Sequence, residues 1–564
     1  MQNFINNINA KFLKLLLYSG LISIVVQPLY AQDLFSSTNQ PFGEYLVGRH
    51  ALANNQFDIA ADNYLKALNL DTDNILLNQL TLSILVTDGR LADAVKISNK
   101  LRDIDQQNDL SKLMLFFEKT KSGDYEDLLV TGDGQGTNGI LKLINPFFKA
   151  WVLAERGEID QVETIINEFK AGNSLNFFNY FQSAIIYEYL GDNKKAEKYY
   201  SMALLDNKTK NLRVAEALGK LLSRQGKDEQ ALFVLNKFSK INPSNEHLRL
   251  ALETIKNGEK FEPFISTLND GFAELLYTVA SILMQDDMKR VATNYLQYAV
   301  FFKPNFPLVH LLQAKIFESD EYFMGAIREL EKINNNSPIY LQSKLQRARI
   351  FDQIKLPSEV LKALKILESE YPENRSVLNE IAEFYRTHER YEEAIEVYNK
   401  VVTSIVKENK DDWVLYYFRG IVLDQEKRWP EAESDFKKAL ELNPNQPLVL
   451  NYLAYSWVEQ GRNYKEAKIM LLRAVELRPN DGYIADSLGW ALFKMGDGEE
   501  AVPILERAVQ LQTKDWAIND HLGDAYWVVG RQNEARFQWR HALSLKQADT
   551  KGDQIEYKII NGYK

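Results

Sequence analysis

Three segments near the C-terminal end decide the fold: NYLAYSWVEQG at Asn451–Gly461, DSLGWALFKMG at Asp486–Gly496 and HLGDAYWVVG at His521–Gly530. They are variants of one pattern. Each is followed by a second helical segment with small residues at matching places: Ala467 and Ala474, Ala501 and Ala508, Ala535 and Ala542. The period is about 34 residues, which is the signature of a tandem helix–turn–helix array. Such units stack in one dimension and need no separate cores.

Working outward from there, the register extends back through most of the chain. If the close-packed small residue of the first helix is position 8, then Gly420, Ala454, Gly489 and Gly523 hold it in the last four units. Ala280, Ala314, Ala348 and Ala382 hold it before them, each 34 residues after the last. Pro304, Pro338 and Pro372 keep the same spacing and stop the second helices. Gly48, Ala60, Tyr64 and Ala67 mark a first unit at Pro41–Asn74. Small residues recur because closely crossing helices need Gly or Ala at the contact.

Two stretches break the pattern. Between about Asp109 and Ser174 the small residues are lost, although Gly123 and Gly157 still fall at turn positions. Within it, TGDGQGTNG at Thr131–Gly139 has the composition of a phosphate-cradling loop. No Lys followed by Ser or Thr comes after it, so an inter-repeat loop is the better reading. The second break follows Glu246–Lys256, which reads as a first helix with Ala251 at position 8. GEKFEPFISTLNDG at Gly258–Gly271 stands where its partner helix should be. It reads as a half-repeat and a hinge or boundary.

Composition narrows the function. The chain has 564 residues and a net charge of -10, a poor basis for nucleic-acid binding. It has no cysteine, which excludes disulfides, thiolate metal sites and cysteine nucleophiles. Lys11 and Lys14 precede the mostly apolar run Leu15–Val26, and Pro28 and Ala31 follow. This is a secretory signal pattern with Ala31 the last residue removed, and the run is short for a bilayer span. An uncleaved anchor and an ordinary first helix are the alternatives. No other stretch is apolar enough to span a membrane.

The division expected is a signal peptide at 1–31, an N-terminal repeat segment at 32–257 with degenerate repeats at about 109–176, an irregular break at 258–271, a C-terminal repeat segment at 272–545 and a capping tail at 546–564. The fold class is all-α: a right-handed superhelical solenoid.

Small residues at positions 8, 20 and 27, aromatic residues at 11 and 24, and Pro at 32 resemble the tetratricopeptide repeat (TPR). The phrases NYLAYSW, DSLGWALF and INDHLGDAYWVVGRQNEARFQWRHAL in Asp412–Leu545 are similar to the C-terminal part of TPR proteins of Gram-negative envelopes. That group includes outer-membrane lipoprotein adaptors that bind a carboxyl-terminal processing protease and present cell-wall hydrolases to it. The resemblance implies a periplasmic scaffold or adaptor with those partners. One departure stands out: those adaptors carry a lipid-modified cysteine, and this chain has none. A structural component of an envelope export or polysaccharide assembly complex is the alternative.

In TPR stacks the first helices line a concave groove, with positions 2, 5, 9 and 12 facing into it. In the last four units positions 5, 9 and 12 are Tyr417, Ile421 and Asp424; Asn451, Tyr455 and Val458; Asp486, Trp490 and Phe493; and Asp520, Asp524 and Trp527. Asn451, Asp486 and Asp520 are expected to form one ladder, and Tyr455, Trp490 and Asp524 another. Amides and carboxylates can hold the backbone of an extended peptide, aromatic rings add contact area, and the carboxylates favour a basic partner. The plainer reading is that these polar groups bond to neighbouring helices. Seven of the eight tryptophans lie at or after Trp413, through recognition or through close packing.

No enzyme is expected. The histidines at 50, 247, 310, 388, 521 and 541 show no metal-ligand spacing, and HExxH and GxSxG are absent. Ser434 and Lys437 form S-x-x-K on a second helix, by chance. Repeats and short joins use almost every residue, so no cofactor or metal site is expected.

Overall fold

The computed structural model describes residues 42–105, 108–131, 140–169, 176–206, 212–240, 246–405, 408–545 and 552–563. The signal pattern, the loop after Thr131 and the proline at 243 lie outside them. Among the described residues there are helices and turns but no strand. Two compact units divide at Val360/Leu361, within the helix Pro357–Glu370.

Both units are stacks of helix pairs, and the turn inside each pair keeps the period more faithfully than the small residues do. At least one residue per turn is left-handed. It is Asn55, Gly89, Gly123, Gly157 and Gly191 in the first repeats, each 34 after the last, then Gly226 and Gly258. Asp287, Glu321, Lys355 and Glu389 continue it at intervals of 34, followed by Lys427, Gly461, Gly496 and Gly530. The degenerate repeats near Gly123 and Gly157 therefore keep the repeat geometry after losing its side-chain pattern. Three first helices of the second unit begin on side-chain caps: Asn374 accepts from Val377 N–H (3.3 Å), Asp481 from Ile484 N–H (3.3 Å) and Asp515 from Ile518 N–H (3.1 Å).

The first unit has one continuous core running from Tyr45 to Ile350. Its early repeats do not keep an open inner face. At the irregular stretch, Glu246–Lys256 is followed by left-handed Gly258 and then by chain without helix as far as Thr267. Thr267 caps the long helix Leu268–Gln285 through a reciprocal pair of bonds with Asp270. This helix and the next, Lys289–Phe302, fold back onto the first helices of earlier repeats. Phe272 meets Phe148 at 4.8 Å between ring centroids, Tyr298 meets Phe117 at 4.8 Å, and Gln182 donates to Thr278 at 3.2 Å. Further on, Tyr322 donates to Asp58 at 3.1 Å. The stretch 258–271 thus joins helices of a single compact unit.

Buried charge fixes this fold-back. Arg213 makes two bonds to Glu274, at 3.0 and 2.9 Å, and one to Glu216 at 3.1 Å. Its guanidinium also lies over the Phe264 ring. Glu188 accepts from the Tyr200 hydroxyl (2.6 Å) and from Phe264 N–H (3.1 Å), and it pairs with Arg224. Buried carboxylates are tolerated because each is paired and hydrogen-bonded.

In the second unit the first helices of successive repeats touch one another: Pro447–Glu459 packs on Gly482–Lys494, and Gly482–Lys494 on Trp516–Val528. They line the inner side of the stack. The close crossings need their glycines. A Cβ added at Gly523 would lie 2.4 Å from Trp539 Nε1, and one at Gly489 would lie 2.6 Å from Leu505 Cγ. The tail forms the helix Gly552–Asn561, packed on Gln532–Leu545.

Candidate functional site

The groove positions all fall on the first helices of the second unit, and the structure assigns each a distinct environment. Tyr417 is half-buried in an aromatic cluster with Trp413, Phe436 and Tyr452. Asp424 accepts the Tyr452 hydroxyl at 3.0 Å, one repeat on. Asn451 and Tyr455 are half-buried on the Pro447–Glu459 helix. The Asn451 Oδ1 atom is buried without a hydrogen-bond partner. Burial pushes the Tyr455 phenol up, helped by Glu459 and Asp486.

Asp486 and Trp490 act as a pair. Asp486 faces His521 of the next repeat, with both carboxylate oxygens 3.0 Å from Nδ1. The His521 ring stacks on Trp490 at 4.0 Å with an interplanar angle of 16°. Trp490 stacks in turn on Phe493, and its indole N–H donates to Glu459 at 2.6 Å. Burial pulls the His521 pKa down, but Asp486, with Asp520 and Asp524, outweighs it, and the value stands above the ordinary 6.5.

Asp520 and Asp524 share one cation. Lys558 of the tail helix lies 2.8 Å from Asp520 Oδ2 and 2.7 Å from Asp524 Oδ2. Asp524 also accepts the Trp539 indole N–H at 2.9 Å. Burial and then Asp520 push the Asp524 carboxyl up to about 6, against the pull of Lys558 and Trp539. Trp527 packs against Trp539 and under the Arg536 guanidinium.

The carboxylates bond outward to groups one repeat further on: Asp424 to Tyr452, Asp486 to His521, and Asp520 and Asp524 to Lys558. Three of the seven C-terminal tryptophans are packing groups, with Trp539 fully buried and Trp457 and Trp490 buried, whereas Trp413, Trp429, Trp516 and Trp527 are half-buried. Ile421 is half-buried, whereas Val458 and Phe493 are buried. Sequence reasoning missed His521 and Lys558. Lys558 stands 34 residues after Asp524, as Asp524 stands 34 after Trp490, so extending the register through the tail finds it.

Among the described residues, no group of three or more His, Asp or Glu side chains is arranged to hold a metal, and no helix is long and apolar enough to cross a membrane.

Family models for the tetratricopeptide repeat match residues 376–404, 413–446 and 483–514. The fold is an all-α TPR solenoid. No curated protein matches the chain in sequence. Among solved structures, the APC/C hetero-tetramer Cut9–Hcn1 is similar at 15% identity over 96% of this chain and 99% of that one, with a TM-score of 0.39. YrrB, described as a TPR protein with an unusual peptide-binding site, matches at 21% identity over 33% of this chain and 92% of its own, with a TM-score of 0.27. MamA from Desulfovibrio magneticus RS-1 matches at 20% identity over 30% and 94%, with a TM-score of 0.28. TPR folds are typically protein-interaction scaffolds that bind proteins or peptides.

Proposed function

We propose that this chain is a non-enzymatic scaffold that binds protein segments on the inner face of its C-terminal repeats, around Tyr417, Asp424, Asn451 and Tyr455. One observation carries the reading. In the first unit, the inner-face positions Phe117 and Arg213 are covered by the chain's own helices. In the second, Asn451 and Tyr455 stay half-buried, and Asn451 keeps a buried acceptor without a partner. An acceptor in that position is stabilised by a donor that an incoming peptide backbone supplies. The surrounding Asp424, Glu459 and Asp486 favour a partner segment with basic residues.

The finer reading is a periplasmic adaptor, secreted by the signal pattern at 1–31, whose partners are an envelope protease and the cell-wall hydrolases it degrades. It rests on the N-terminal sequence and on the resemblance of Asp412–Leu545 to envelope adaptors. The test is co-purification after crosslinking in the native cell, comparing the wild type with Asn451→Ala/Tyr455→Ala. Recovery of a protease or hydrolase that is lost in the variant supports the adaptor. Recovery of export machinery alone overturns it.

A further inference from the structure

We propose that the segment Lys558–Tyr563 is a built-in occupant of the inner face of the last two repeats, and that this face takes partner segments carrying a cation and, five residues on, an aromatic ring, in competition with it. The proposal rests on the groove-binding reading above.

A terminal cap needs only to cover the apolar edge of the last second helix. Ile555, with 1% of its surface exposed, does this. The residues after it make contacts of another kind. Lys558 places its ammonium between Asp520 and Asp524, both inner-face residues. Beyond Asn561, Gly562 adopts φ +86, a conformation that turns the chain back at no steric cost to glycine. An added Cβ at Gly562 would lie 2.0 Å from Trp527 Cζ2, so its backbone rests directly on the indole. Tyr563 then reaches back past that repeat to Phe493 and meets it edge-on at 5.4 Å between ring centroids. Lys558 lies over the Tyr563 ring at 5.5 Å.

One cation on two carboxylates, one small residue on an indole and one ring edge-on to another are the contacts by which such a groove holds a separate peptide. The segment does not satisfy the site completely, because Asp520 Oδ1 is still buried without a partner. The occupant's helix depends on its docking. Gly552–Asn561 is a ten-residue helix, shorter than helices stable alone, and it leaves Ile560 75% exposed. Tethering supplies a high local concentration that keeps it seated until a partner with the same groups displaces it.

The experiment uses full-length protein and a fluorescent peptide with the sequence of residues 552–564. Wild type is compared with Lys558→Ala/Tyr563→Ala, whose own tail no longer competes. The double variant is expected to bind the peptide roughly tenfold more tightly or better, and a peptide carrying Lys558→Glu is expected not to bind. Equal affinity for the two proteins, or no binding to a double variant that melts as the wild type does, overturns the proposal and leaves the tail a fixed cap. If the double variant does not fold, hydrogen exchange on the wild type decides. Amides of Ile555–Asn561 exchanging well ahead of Gln532–Leu545 support a displaceable tail, and exchange of the two helices together overturns it. Partner capture sensitive to Tyr455 is a separate readout, so a failed peptide assay beside intact capture removes only the tail assignment.

Discussion

His521 is held between two residues of the preceding repeat, stacked 4.0 Å from Trp490 and bonded at 3.0 Å to both oxygens of Asp486. The contact joins two first helices on the inner side of the stack, so inter-repeat stability and groove architecture depend on the same three side chains.

This pairing sets a pH dependence. A histidine with a raised folded pKa contributes stability that is complete below its ordinary value of 6.5 and is lost as pH rises through the higher folded value. Asp524, pushed up to about 6, acts in the same direction but below that window: its contribution is lost as pH rises from 3.8 through about 6. Melting temperature is therefore expected to fall as pH rises above 6.5 in the wild type. Asp486→Asn is expected to flatten that fall. An unchanged slope in the variant would show that Asp486 does not set the His521 titration.

Gly523 tests the helix crossing. Its Cα faces Trp539, which cannot swing away because it is fully buried and its indole N–H is bonded to Asp524. Gly523→Ala is expected to cost about 1–3 kcal/mol through overpacking. Gly43→Ala, on a helix with nothing within 4 Å of the added carbon, serves as the control and is expected to be neutral or mildly stabilising. Urea denaturation of both variants measures the difference.

The fold-back of the first unit depends on Arg213. Glu274 has only 2% of its side chain exposed, and Arg213 has 21%. Arg213→Met leaves that carboxylate buried without its guanidinium and is expected to cost about 3–5 kcal/mol. Limited proteolysis is expected to cut faster within Glu259–Thr267, the stretch without helix that Phe264 ties to Arg213 and Glu188. Unchanged cleavage would mean that apolar packing alone holds the fold-back.

The repeat was legible in the sequence because Gly420, Ala454, Gly489 and Gly523 are demanded by local helix crossings, and local demands leave a periodic trace. The turns were half legible. Gly89 and Gly496 announce themselves, whereas Asp287, Glu321 and Lys355 adopt the same left-handed conformation with residue types that carry no such signal. The fold-back was not legible. Tyr322 and Asp58 are 264 positions apart, and no local pattern records such a contact. In the candidate site, periodicity identified which residues share the inner side but not their partners. For Asp486 and Asp520, ligand binding and bonding to a neighbouring helix were both open from the sequence, and the partners His521 and Lys558, one repeat further along, left no trace in the pattern of either carboxylate.

Binding of partner segments along the inner face of the C-terminal repeats can be read out in the cell. Its most direct test is photocrosslinking in the native cell, with a photoreactive residue placed at Tyr455, at buried Gln182 of the first unit, or at exposed Ile469 on a second helix. Protein crosslinks are expected at 455, with none at 182 and none at 469. Crosslinks at 469 with none at 455 would contradict inner-face binding and move recognition to the outer face of the stack.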